Sequence, residues 1–101
     1  MTLYYDDQIK FETTSSGVSV TGEVSTTGHI RLPDNASLIA GTGSDLFIFH
    51  NGSHSRILDT GTGKLQLGSD TEVEILNGSF NESIAKFIPD GAVELYYNNV
   101  K

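Results

Sequence analysis

Glu72 and Glu74, with Asp70 just before them, come nearest in this sequence to residues whose type and spacing could do chemistry. Two carboxyl groups on one strand face are what glycoside hydrolysis requires, one as acid and one as base or nucleophile. The alternation of these glutamates with Val73 and Ile75 gives them a simpler role, since it is the pattern of a strand with one face in water. No catalytic residue is therefore assigned. His50 and His54 stand four apart, a spacing that on a helix would turn both imidazoles to one metal. Asn51-Gly52-Ser53 between them reads as a hairpin turn, which removes the common face. His29 or His50 could gather in threes near the axis of a trimer, because imidazole binds transition metals. Neither has a His-x-His partner, so no metal ligand is assigned.

Other polar clusters read as turns. Asp6-Asp7, Asp34-Asn35 and Asp90-Gly91 lack the twelve-residue pattern of a calcium loop. Gly41-Thr42-Gly43 and Gly61-Thr62-Gly63 lack the Gly-Lys-Ser/Thr or the helix that completes a phosphate loop. No serine sits in a Gly-x-Ser-x-Gly elbow, and no residue set implies a cofactor. Asn-x-Ser sequons at Asn35, Asn51, Asn77 and Asn81 would signal surface loops in a secreted eukaryotic protein. The pairs Tyr4-Tyr5 and Tyr96-Tyr97 could present a platform for sugars. Adjacent strand residues point to opposite sides, so one Tyr of each pair is expected to pack inward, in a core or an interface.

The elements that must position these residues are short strands. The dipeptides Asn51-Gly52, Asn77-Gly78 and Asp90-Gly91, together with 11 glycines in 101 residues, supply turns that need positive φ. Between them, apolar residues alternate at Val18 and Val20, Leu65 and Leu67, Val73 and Ile75, and Val93 and Leu95. We place strands at Leu3–Tyr5, Ile9–Glu12, Val18–Thr21, His29–Leu32, Ser37–Ile39, Leu46–His50, Arg56–Asp59, Lys64–Leu67, Glu72–Leu76, Ser83–Ile88 and Ala92–Tyr97. The segment from Asn81 to Ile88 also carries apolar residues at helical spacing, but Pro89 and Gly91 leave little length for a helix. The fold class is all-β.

Composition says how such a fold is held. Only 37% of residues are apolar, and with no Cys neither a disulfide nor a thiolate site can staple the chain. A small polar domain without staples is expected to find its stability in association. A net charge of -7 opposes nucleic-acid binding, because that affinity rests on Lys and Arg neutralising phosphates. No apolar run approaches the length of a membrane span, and the sequence opens with no leader peptide.

Repetition is the most informative feature. Leu3-Tyr4-Tyr5-Asp6-Asp7 returns as Leu95-Tyr96-Tyr97-Asn98-Asn99, 92 residues later. Weaker echoes join Gly41–Phe49, Gly61–Leu67 and Gly68–Ile75, each a Gly-polar turn followed by alternating apolar residues. Turn-strand units that recur suit stacking, in which each layer covers the next. Residues 1–101 thus read as a single repeat-type β module, with 93–101 beginning the next copy.

The stretches LYYDDQIKFETTSSGVSVTGEV, DLFIFHNGSHSRILDTGTGKLQL and GAVELYYNNVK resemble the repeated modules of tail-fibre and other virion structural proteins of marine tailed phages, especially cyanophages. The resemblance covers Leu3 to Val24 and Asp45 to Lys101, and is weaker from Ser25 to Gly43. It implies an intertwined homotrimer, a triple-stranded β-helix or β-prism-like fibre module, located in the virion and made in the bacterial host cytoplasm. Expected partners are identical chains, neighbouring modules of the parent fibre and, in a fibre tip, a host surface glycan. The expected role is that of a non-enzymatic spacer, the alternative being receptor binding through exposed Tyr or Phe and the segment Ser25 to Gly43.

Overall fold

The computed structural model describes residues 1–98 and 100–101. Their regular structure is all-β: Thr2–Tyr5 (β1), Gln8–Thr14 (β2), Gly17–Val20 (β3), Ser37–Ala40 (β4), Leu46–His50 (β5), Ser55–Asp59 (β6), Val73–Leu76 (β7), Ser83–Phe87 (β8) and Val93–Leu95 (β9). They form three small antiparallel sheets, ordered β1-β2-β3, β4-β5-β6 and β7-β8-β9, without a helix among the described residues. The segment from Asn81 onward becomes β8, as the nearby Pro89 and Gly91 favour.

Two expected strands do not form. His29–Leu32 and Lys64–Leu67 pair with no neighbour. Alternation records which way side chains point in an extended segment, whereas a strand also needs a partner edge for its backbone groups. Pro33 ends the first segment and removes a donor beside it. The second lays Leu65 and Leu67 beside Val73, Ile75 and Phe87 instead of joining a ladder. The echo Gly61–Leu67 therefore differs from Gly41–Phe49 and Gly68–Ile75, which lead into β5 and β7.

Contacts divide the chain into two compact units, Met1–Ser37 with Phe49–Ser55 and Leu38–Ile48 with Arg56–Lys101. In the first unit, β1 and β2 join through Asp6 and Asp7, at φ 51° and 62°. Positive φ at both central residues is the geometry whose twist matches a tight hairpin, and Asp tolerates it better than most residues. Leu3, Phe11 and Val20 form one cross-strand row, while Thr2, Glu12 and Ser19 form the next, on the opposite face. A bulge lies between Leu3 and Tyr4.

In the second unit, β7, β8 and β9 repeat that plan. Val73, Phe87 and Val93 make one row, Glu74, Lys86 and Glu94 the next, and Ile75, Ala85 and Leu95 the third. One face is therefore apolar and the other charged. Ala85, at the centre of the apolar face, is the one buried hydrophobic residue among those described.

Two turns of the second unit close on an acidic side chain. Asp45 donates its N–H to the Ala40 carbonyl, and its own carbonyl accepts from the Thr60 N–H at 2.8 Å. Gly41 and Gly61 lie against its carboxylate; a Cβ at Gly61 would stand 2.7 Å from Oδ1. Only glycine fits there, and Gly41 also has φ 97°.

Candidate interaction surface

The charged face of β7–β9 is a connected network. Glu74 accepts a hydrogen bond from the Ser83 hydroxyl and lies 3.8 Å from Lys86 Nζ. Glu94 accepts from the Tyr96 hydroxyl at 2.8 Å and pairs with Lys101 Nζ at 2.7 Å. Lys86 Nζ sits 5.7 Å from the Tyr96 ring centroid. That separation is within cation–π range. The Lys101 hydrogen bond first, and then that of Tyr96, hold the Glu94 carboxyl below the ordinary glutamate value. The same bonds raise Lys101 and Tyr96 above theirs. Each carboxylate of this face is engaged by a neighbour, so the face is a solvated polar surface rather than a pair of free acids.

The two glutamates stand in different surroundings. Glu74 lies within β7, but Glu72 precedes it and has a buried Oε2 with no hydrogen-bond partner. His50 and His54 flank a turn, as Asn51-Gly52-Ser53 between them implied. Asn51 Oδ1 accepts from the N–H groups of Ser53 and His54, and His50 Nδ1 lies 3.0 Å from Ser55 Oγ. His29 is exposed in the segment without strand pairing. Among the described residues no three His, Cys, Asp or Glu side chains come together as metal ligands.

The sequon asparagines build turns. Asn35, at φ 68°, donates its N–H to the His50 carbonyl. Asn77 Oδ1 accepts from the N–H groups of Asn81 and Glu82, and its Nδ2 donates to Asn81 Oδ1. That loop holds Phe80 at φ 58° and 77% exposed. An aromatic ring is thus carried outward on a strained backbone. Sequence reading missed it, because nothing local marks a Phe for positive φ.

Within the single chain, no tyrosine of either pair is buried. Tyr4 and Tyr5 are both exposed, and Tyr97 is 80% exposed while Tyr96 is half-buried over the charged face. No tyrosine enters a core of this chain.

The larger candidate surface is apolar. Leu65 and Leu67 border a shallow hollow with Val73, Ile75 and Phe87, and the same sheet face continues through Val93 and Leu95. Leu95 is 68% exposed and Phe87 42%. In the sheet β1–β3, by contrast, the row of Leu3, Phe11 and Val20 has no buried member. The accessible surface of the chain is 8749 Å². Comparison with protein-family models, with curated proteins and with solved structures finds no match.

Proposed function

We propose that this chain is a non-enzymatic structural segment of a phage tail fibre or related virion protein, a β-rich spacer in which three identical chains cover one another's apolar faces. The observation that carries this reading is the open apolar face of β7–β9, where Ala85 alone is buried. At about 25 cal/mol per Å² of apolar area, covering even a few hundred Å² contributes several kcal/mol, comparable to the stability of a whole small domain. Sheets with one apolar face suit a prism-like trimer with those faces turned to the axis. The acidic net charge keeps such a particle soluble. The resemblance to virion modules is what supports a virion location, after synthesis in the bacterial host cytoplasm.

Light scattering on the purified chain tests the assembly. A mass three times 10.9 kDa is expected, and a stable folded monomer would overturn it.

A second reading, a fibre tip that binds a host surface glycan, is favoured by Phe80 at its exposed hairpin tip, since an exposed aromatic ring can stack on the apolar face of a sugar. Adsorption to host cells that falls on Phe80→Ala, with the trimer intact, would establish that reading; unchanged adsorption would dismiss it.

A further inference from the structure

The two copies of the Leu-Tyr-Tyr stretch use opposite halves of their backbone bonding groups. In β1, the Met1 carbonyl accepts from the Thr13 N–H, Leu3 pairs with Phe11, and Tyr5 pairs with Gln8. Alternation along an antiparallel strand then points the groups of Met1, Leu3 and Tyr5 to β2, and those of Thr2 and Tyr4 to an edge that no strand of this sheet occupies. At the other copy, 92 positions later, the Tyr96 N–H donates to the Ile84 carbonyl, and Glu94 pairs with Lys86. Positions 94 and 96 thus bond β8, while 93, 95 and 97 face outward.

The outward edge already begins a hairpin. Tyr97 and Val100 exchange both backbone hydrogen bonds, at 2.6 and 2.8 Å, as the pair equivalent to Tyr5 and Gln8. Asn98 has φ 49°, matching Asp6 at 51°. Asn99, the last residue of the sequence echo, lies outside the described residues. Overlaying the copies unites the two half-filled strands into one whose two edges are both bonded.

The side chains agree with the backbone. Leu95 shares its row with Ala85 and Ile75, and Leu3 shares its row with Phe11 and Val20. Overlay makes one apolar row, Ile75, Ala85, Leu95, Phe11 and Val20, across five strands. A slip of the added hairpin by one residue would instead turn Phe11 and Val20 to the charged face.

We propose that the outer edge of residues 93–97 is the seat of the β2–β3 hairpin of a further copy of this module, so that one shared strand joins the sheet β7-β8-β9 to the next copy's β2 and β3 in a continuous five-stranded sheet. Free edges with unpaired N–H and C=O groups are templates for further pairing, and here the template is specific to a copy of the same sequence. The inference rests on the reading of the chain as one module of a tandem, but not on three-fold association.

The test is a chain of residues 1–101 followed directly by residues 10–101, which supplies β2 and β3 of the second copy in register. Amide exchange by NMR is compared with that of the single module. The Val93 and Leu95 amides of the first copy are expected to slow about 100-fold or more, as edge amides enter a ladder. They should remain fast in a control of two complete modules joined by a flexible linker, where the second copy keeps its own β1. Equal exchange at Leu95 in the direct fusion and the single module overturns the proposal. So does slow exchange already present in the single module, or a direct fusion that fails to fold, whether or not the linked chain does. Mass measured on the same samples separates the two readings. A monomeric fusion with slow Leu95 keeps the shared strand and removes the trimer; a trimer with fast Leu95 does the reverse.

Discussion

The sheets β1–β3 and β7–β9 follow one plan and reach different ends. Both are antiparallel meanders with a bulge and an apolar row, but only β7–β9 buries a side chain, Ala85. The difference lies in the central residue. In β7–β9 a small Ala is flanked by Ile75 and Leu95, whereas in β1–β3 the central position holds Phe11. Leu65 and Leu67 also border the face of β7–β9. The opposite faces differ as well: β7–β9 carries the row Glu74, Lys86 and Glu94 where β1–β3 carries Thr2, Glu12 and Ser19. Within one chain, then, neither sheet supplies enough apolar cover for its large side chains, and local charge pairing does not take the place of cover.

Truncating the two central aromatics tests this most severely. Phe87→Ala and Phe11→Ala should each cost about 3 kcal/mol if their faces are covered by other chains, as for buried Phe. Denaturant midpoints should then rise with protein concentration. Losses below about 1 kcal/mol, independent of concentration, would mean that both faces stay in water, as expected of exposed positions.

Gly61→Ala comes next, a clash between two residues of the second unit. Its Cβ would meet Asp45 Oδ1 at 2.7 Å. Such overpacking should cost about 2 kcal/mol, read by thermal unfolding. At Gly63 nothing lies within 4 Å of an added Cβ. Gly63→Ala is therefore the contrast: its cost comes from the positive φ of 94° alone and should be smaller.

Asn77→Ala removes the acceptor of two loop N–H groups. It should cost about 1 kcal/mol in the same unfolding measurement. The turn at Asp6-Asp7 rests instead on backbone geometry, with Asp7 at φ 62°. Asp7→Gly relieves that conformation and should be neutral or slightly stabilising.

The smallest effect belongs to Glu94. A carboxyl held below its ordinary value contributes stability above the unfolded-state pKa, and that contribution fades as pH falls through the folded value. Stability measured from neutral to acid pH should therefore fall less steeply in Glu94→Gln than in the natural sequence, and added salt should shrink the difference. Lys101 and Tyr96 are both raised. They contribute at neutral pH and lose their share on the alkaline side. No matching change is expected from Thr2, the equivalent residue of β1.

Local chemistry was legible from the residues themselves. Period-two alternation at Val18 and Val20, Val73 and Ile75, and Val93 and Leu95 marked what became β3, β7 and β9, because it reports which side chains share a face. Asp6-Asp7, Asn51-Gly52 and Asp90-Gly91 marked turns because Asp, Asn and Gly accept positive φ. Absence of Cys and a modest apolar fraction already said that one chain would bury little. Tertiary structure alone decided which extended segments found a partner edge: His29–Leu32 and Lys64–Leu67 were expected as strands on the same grounds as their neighbours but enter no ladder. It alone set Lys86 between two glutamates, and Asp45 against Gly41 and Gly61. The reason is range. A residue's φ and the face it shares are settled within a few positions, while register and edge occupancy depend on backbone groups far away in the chain, and alternation carries no address for them.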